Sequence, residues 1–395
     1  MLRSSIGTIV GALTLLMAVP ASAQDEDPAE PAVAFNLRYK ADVLGVVHGG
    51  LRKGVRYLDN LDATMAVDLE RVAKLSNTRA FVYLLYNNGT SFSPALAGDA
   101  QIVSNIETGV QAVRLYEAWI EHGDERLAAR VGLYDVSSEF DMLESSAMFV
   151  NSAFGTGTDL SQTGNNGPSI FPVTAPGVRL QGMIGEHLTL RGAVLEGTPG
   201  DPRHPGRTVI ALQPRDGIFA IAEADVHAGT ARLIAGTWRY TAKFEIQRGP
   251  DDGETGREPA MGTGNAGVYI RGEAQVAGNE ERSLAAFFRL GTAAGRFNLF
   301  DHFGSVGVNA RGLFEREGQG ELGFGIAHAR TSALTRSVTP DTALGETAFE
   351  LSYRTKLTPH LAVQPDVQYI IDPSGSTRQR DVLVVGIRFD AILRP

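Results

Sequence analysis

The sequence predicts an all-β protein: a closed antiparallel transmembrane β-barrel of about 16 strands, with one long connection folded into its lumen. Three observations lead there. A secretory signal opens the chain, and no later apolar run is long enough to cross a bilayer as a helix. Apolar and polar residues alternate in segment after segment, and the connections between segments alternate between short and long. Only helices and closed barrels satisfy their backbone in lipid, so a membrane protein of this kind must be a barrel.

In chain order, residues 1–23 read as the signal: Arg3 supplies the positive end, Ile9 to Val19 the apolar stretch, and Ala21-Ser22-Ala23 the cleavage site. Residues 24–32 form an acidic leader containing Pro28 and Pro31, of disordered composition. The barrel domain is expected over 33–395. Its first strand, 33–43, sets Phe35, Leu37, Tyr39, Ala41 and Val43 on one face and Asn36, Arg38, Lys40 and Asp42 on the other. Further clear strands are predicted at 61–70, 126–134, 177–184, 266–274, 282–291, 347–356, 361–370 and 382–390.

The connections carry more weight than the strand ends. Short ones fall at 76–77, 122–125, 185–187, 227–229, 278–281 and 358–360. Long ones fall between them at about 88–111, 135–176, 197–217, 241–265, 292–305, 331–346 and 372–381. A soluble sandwich has no reason to gather its long loops at one end. A bacterial outer-membrane barrel does, with short periplasmic turns, long external loops and, for an even strand count, both termini periplasmic.

Composition agrees. Mean hydropathy of −0.07 and 43% hydrophobic residues suit a wall in which only every second side chain meets lipid. The formal net charge of −9 argues against a nucleic-acid partner. With no cysteine there is no disulfide, no thiolate metal site and no lipidated amino-terminal Cys. Catalytic motifs are absent; Gly262-Thr-Gly264-Asn-Ala-Gly267 fits a nucleotide-loop pattern but follows a charged loop and precedes a strand, which is the wrong context. The eight His are scattered, so neither a metal nor a cofactor is expected, and the chain does not read as an enzyme.

Alternation then assigns an inner wall. It places Arg130, Arg179, Gln181, Arg191, Tyr269, Arg271, Glu273, Arg289, Asn309 and Arg311 inside. Glu350, Ser352, Arg354, Gln364, Asp366, Gln368 and Arg388 follow on the later strands. An arginine on the lipid face at mid-bilayer would cost about 2–4 kcal/mol. From the wall alone three readings stand open: a lumen that hydrogen-bonds hydroxyl-rich solutes, an anion-selective pore, or Arg as a large polar filler. In 114–121, strict alternation sends Leu115, Glu117, Trp119 and Glu121 inward and Arg114, Tyr116, Ala118 and Ile120 outward. Trp119 is then placed either to offer a flat face to a sugar ring or to sit in an interfacial belt. The connection 135–176 is the longest. Phe140, Met142, Phe149, Phe154, Ile170 and Phe171 give it anchors for folding into the lumen.

Several stretches carry a family likeness: Arg114-Leu-Tyr-Glu-Ala-Trp-Ile-Glu121, Arg130-Val-Gly-Leu-Tyr-Asp-Val-Ser-Ser-Glu-Phe-Asp141 and Phe149-Val-Asn-Ser-Ala-Phe-Gly155. So do Asn166-Gly-Pro-Ser-Ile-Phe-Pro-Val173, Gly177-Val-Arg-Leu180, Leu195-Glu-Gly-Thr-Pro-Gly-Asp201 and Gln364-Pro-Asp-Val-Gln-Tyr369. In these the chain resembles the carbohydrate-selective porin family (OprB type). The resemblance implies a sixteen-stranded barrel passing sugars, glucose-like monosaccharides first, by passive diffusion in the outer membrane. It also implies Arg and Glu side chains at a constriction, a role that falls here on Arg114, Glu117 and Arg130. Homotrimer and monomer are both compatible with it. One departure concerns the carboxyl end, where such barrels finish on an aromatic: here Phe389 is followed by Asp-Ala-Ile-Leu-Arg-Pro.

Overall fold

The computed structural model describes residues 31–393 other than 211, 248–259, 280 and 315–319. The expected signal and residues 24–30 of the leader lie outside the described residues. The strands are β1 (Val33–His48), β2 (Gly54–Asp68), β3 (Thr78–Asn88), β4 (Gln111–Gly123), β5 (Leu127–Tyr134), β6 (Ala175–Ile184), β7 (Leu188–Glu196), β8 (Ile218–Ala228) and β9 (Ala231–Tyr240). A two-stranded hairpin, β10 (Phe244–Glu245) with β11 (Met261–Gly262), stands apart from the main sheet. Then come β12 (Ala266–Gly278), β13 (Ser283–Ala293), β14 (Phe300–Arg311), β15 (Glu321–Thr331), β16 (Gly345–Thr358), β17 (Leu361–Ile371) and β18 (Val382–Leu393).

Each barrel strand pairs antiparallel with the next, β9 skips the hairpin to pair with β12, and β18 closes on β1. Sixteen strands make the closed sheet. Closure leaves no unpaired edge, which is the condition for crossing hydrocarbon. No helix among the described residues is long and apolar enough to cross a membrane. The outer face is apolar and exposed, with Phe35, Leu84, Val113, Leu127, Val178 and Leu290 among its residues.

Three local expectations are corrected. The segment 61–70 is not strand to its end: Leu69–Ala73 forms helix α1, because the Asp68 side chain accepts from the Arg71 amide and caps it. The connection expected at 292–305 is only 294–299, since β13 runs to Ala293 and β14 begins at Phe300. Short and long connections therefore do not alternate strictly: 49–53 and 294–299 are short at the long-loop end, while 69–77 and 312–320 are longer at the other. Leu133 is also buried rather than outward-exposed, at the end of β5 nearest the long connection.

Two connections pack apolar side chains against the barrel wall. The segment 135–174 contains helix α2 (Thr158–Ser161) and puts Leu143, Met148, Phe149 and Phe154 against Phe287, Phe303, Ala327 and Ala329. The inner face of β15 makes room with small residues, for a side chain on Gly323 would collide with Met148 and one on Gly325 with Phe154. The segment 89–110 puts Phe92, Leu96, Val103 and Ile106 against Leu44, Val46, Ile370 and Val384. A further short helix, α3 (Ala333–Val338), lies between β15 and β16.

Candidate functional site

A bulge decides how β4 presents its side chains. Glu117 pairs with Tyr83 and Leu115 with Leu84, so Tyr116 is an extra residue between them. The alternation resets there. Arg114, Tyr116, Glu117 and Glu121 are all buried while Val113 and Ile120 are exposed. This corrects the strict-alternation expectation that Arg114 and Tyr116 share the outward face. Arg114 does not stand in open space: its guanidinium donates to Pro205 O at 2.8 Å and Asn87 Oδ1 at 3.2 Å, tying the 197–217 connection to the wall.

Below the bulge, charged and aromatic groups meet on the inner face of β3 to β7. Glu121 accepts from Arg130 Nε at 3.0 Å, from Arg179 at 2.6 Å and from Arg79 Nε at 2.6 Å. Glu139 of the long connection joins the same arginines, at 2.7 Å from Arg179 and 3.2 Å from Arg130. Arg191 donates to the Glu139 carbonyl at 3.2 Å and to Gln181 at 3.0 Å. Burial pushes the Glu139 carboxyl up, but Arg130, Arg179 and Arg191 outweigh it and hold it down to about 2. The Arg130 guanidinium lies 3.7 Å from the Trp119 ring centre, and Phe81 stacks on Trp119 at 5.1 Å. Trp119 Nε1 donates to Glu117 Oε2 at 3.0 Å. Trp119 is thus already stacked with Phe81 from β3 and with Arg130 from β5.

A second cluster anchors the long connection on β12 and β13. Arg289 donates to both oxygens of Asp141, at 2.8 Å and 2.8 Å, and to Asp159 at 2.6 Å, while Arg271 donates to Asp141 at 2.7 Å. The side chains of all four are exposed by 2% or less. Burial raises the Asp141 carboxyl, yet Arg289 and Arg271 bring it below its ordinary value; Asp159, with one arginine against the same burial, stays above. Gly157 and Gly291 make the space: a Cβ on either would fall within 3 Å of Arg289 and Asp159 side-chain atoms. Glu273 accepts from the Ser145 amide and hydroxyl at 2.8 and 2.6 Å.

The remaining expected site residues lie elsewhere. Arg354 donates to Asp390 at 3.1 Å, beside the Arg38–Asp390 pair. Arg311 pairs with Glu321 at 2.5 Å with its side chain 55% exposed, at the short-turn end. The expected set therefore divides into a mixed wall (Glu117, Trp119, Arg130, Arg179, Arg191), loop anchors (Arg114, Arg271, Glu273, Arg289) and two outlying arginines. Sequence reasoning put Arg38 and Lys40 on the polar face of β1 but missed Arg79, Phe81 and Tyr83, which complete the inner wall of β3. It also missed the loop carboxylates Glu139, Asp141 and Asp159. Their signal was present as a surplus of inward arginines that needed acids from somewhere.

A family model described as carbohydrate-selective porin, OprB family, matches residues 52–391. The chain belongs to that family. Porin B of Pseudomonas aeruginosa is 24% identical over 92% of this chain and 88% of its own length. The high-pH structure of Pseudomonas putida OprB superposes with a TM-score of 0.80 at 20% identity, covering 92% of this chain and 94% of that one. The outer-membrane channel DcaP of Acinetobacter baumannii shares the fold more distantly, with a TM-score of 0.58 at 9% identity over 91% of this chain and 97% of that one. This porin is thus an outer-membrane channel for carbohydrates, and its family and fold point to passage rather than catalysis.

Proposed function

We propose that glucose-like monosaccharides cross this porin by diffusion past the inner wall of β3 to β5, narrowed by the 135–174 connection, with both termini and the short turns in the periplasm. The observation that carries the reading is the Phe81–Trp119–Arg130 stack bordered by Glu117, Glu121 and Glu139. A sugar ring offers one apolar face and a rim of hydroxyls. The stack supplies a flat surface for the first, and alternating guanidinium donors and carboxylate acceptors meet the second. Each sugar hydroxyl then exchanges water for a charged partner rather than for an apolar wall.

The anion-channel reading loses its main support to ion pairing around the barrel. Arg179, Arg271, Arg289 and Arg388 are each bonded to carboxylates, so their count does not translate into a positive pore. Arg130→Ala tests the choice. A hydrogen bond from a charged donor contributes roughly 1.5–3 kcal/mol, so sugar block of ion current should weaken by about tenfold or more. Unaltered liposome swelling with glucose, together with a reversal potential moved toward cations, would favour the anion channel instead.

A further inference from the structure

Arg239 stands outside the rule that sends arginines inward. It lies on β9 between Trp238 and Tyr240, both buried on the lumen side, and shares the exposed outer face with Leu233, Ala235 and Thr237. The alternation continues past the strand end, where Thr241, Lys243 and Glu245 are exposed while Ala242 and Phe244 are buried. Arg239 and Lys243 therefore stand one above the other on the lipid side, at the long-loop end of the barrel. Among the described residues neither forms an ion pair. An outward arginine is costly at mid-bilayer and nearly without cost at the interface, so Arg239 marks the level of the lipid headgroups.

The 197–217 connection reaches the same place from the lumen. Arg114 of the inner wall holds its Pro205 O, but Gln213 N donates to Glu196 Oε1 at 3.1 Å. Glu196 shares the outer face of β7 with the exposed Val194 and pairs with the exposed Ile218 of β8. The connection thus crosses the rim and ends on the lipid side. A second tether runs from Thr208 Oγ1 to Leu115 O at 3.0 Å. Between the tethers Ile210 is 59% exposed and Leu212 77%, the most of any large apolar side chain among the described residues. Arg215 follows, exposed and 3.8 Å from its neighbour Asp216. Ile218 N then donates to Thr241 Oγ1 at 2.9 Å, which sets the end of this strap beside Arg239 and Lys243.

We infer that the strap and the outer face of β9 form a docking site for a phosphate-bearing lipid of the outer leaflet. This rests on the orientation inferred above, with the long connections outside, and not on the sugar path. Ile210 and Leu212 enter the acyl layer, which removes apolar surface from water. Arg215, Arg239 and Lys243 meet the phosphate through charge-assisted hydrogen bonds. Ala220, Ala222, Ala224 and Ala235 give the wall below them a flat surface for acyl chains. The exposed charge here is cationic: Arg207, Arg215, Arg239 and Lys243 stand against Glu245 alone, since Glu196 is buried under the strap and Asp216 is half-buried beside Arg215. Two copies of this face set against each other would bring like charges together, which favours an anionic lipid over self-association.

Native mass spectrometry of the porin in detergent, titrated with diphosphorylated lipid A and with the same lipid dephosphorylated, tests this. The phosphorylated lipid should bind about tenfold more tightly, and salt should weaken that preference. Arg239→Gln combined with Lys243→Gln should abolish the preference and leave the dephosphorylated lipid unaffected. Leu212→Asn should weaken both lipids alike, with circular dichroism confirming an intact barrel and sugar block of ion current unchanged in each variant. Equal binding of the two lipids by the wild type, or a preference kept by the double variant, overturns the site. So does inorganic phosphate that competes as well as the lipid, because the acyl contacts would then contribute nothing. An oligomer that Leu212→Asn reduces to a monomer, with no lipid preference, would assign the strap to a contact between copies and overturn it too. The chain has no cysteine, so Arg203→Cys, at an exposed position of the same connection, reports orientation through an impermeant maleimide on whole cells. Failure to label rejects the outer leaflet together with the orientation, whereas loss of the lipid preference alone leaves the sugar site on β3 to β5 standing or falling on Arg130→Ala.

Discussion

The two buried connections are held to the same barrel by opposite chemistry. The long one brings carboxylates, Glu139, Asp141 and Asp159, to arginines that the wall supplies. The shorter one brings backbone amides to a carboxylate that the wall supplies, Glu346, and keeps its own Asp99 and Glu107 away from any cation. Charge pairing sets how the long connection responds to protons. Glu139, held down to about 2, and Asp141, below its ordinary value, stabilise the docked long connection above the ordinary carboxylate range and lose that contribution as pH falls through those lowered values, while the raised Asp159 acts in the opposite direction.

The strongest way to break this contrast is Arg289→Ala. It removes five donors from a pocket in which Asp141 and Asp159 are fully buried, leaving two carboxylates with only Arg271 nearby. Breaking a buried pair from one side costs about 3–5 kcal/mol, enough to detach the connection while the closed sheet survives. Conductance should rise severalfold and sugar block should collapse, read in planar bilayers with circular dichroism as the folding control. An unchanged current would mean that apolar packing, not charge, holds the long loop, and the contrast would fail.

A smaller effect sharpens the same point. Gly157→Ala leaves every charge in place but sets a methyl 2.3 Å from Arg289 Nη1 and 2.7 Å from Asp159 Oδ1. Overpacking of a close-packed site costs typically about 1–3 kcal/mol. The variant should show a partial rise in conductance, less than that of Arg289→Ala, measured in the same bilayers. A rise as large as that of Arg289→Ala would place the control of the loop in its packing.

The contrast also explains which parts of the molecule were legible in the sequence. Alternation survives wherever one face meets lipid and the other meets polar groups, as in Leu127 to Val131 and Val178 to Leu180. It blurs where a buried connection covers the inner face with apolar contacts. Val43-Leu-Gly-Val-Val47 and Val382-Leu-Val-Val385 read as continuous apolar runs because Leu44, Val46, Val382 and Val384 pack inward on 89–110. Gly323-Phe-Gly-Ile-Ala-His-Ala329 places small residues at every second position because Phe149 and Phe154 fill that side. Both patterns report strands packed against a buried connection, and reading them as such would have found the second one. The bulge at Tyr116 left no such trace: strand spacing carries no mark of one extra residue, so Arg114 reached the inner wall on family resemblance rather than on register.

The smallest expected effect bounds the contrast from the other end of the barrel. Arg311 reads as an inward residue of the same kind as Arg130, but its partner is Glu321 at the short-turn end, and more than half of its side chain meets solvent. Exposed ion pairs contribute little because water competes for both charges and long side chains give up rotamer freedom to meet. Neither buried connection bonds to it. Arg311→Ala should therefore leave sugar block, conductance and their pH profile within error of the wild type, in the bilayers used for Arg289→Ala. If block weakened as it is expected to for Arg130→Ala, selectivity would extend to the short-turn mouth. The two connections would then shape only part of the resistance a sugar meets.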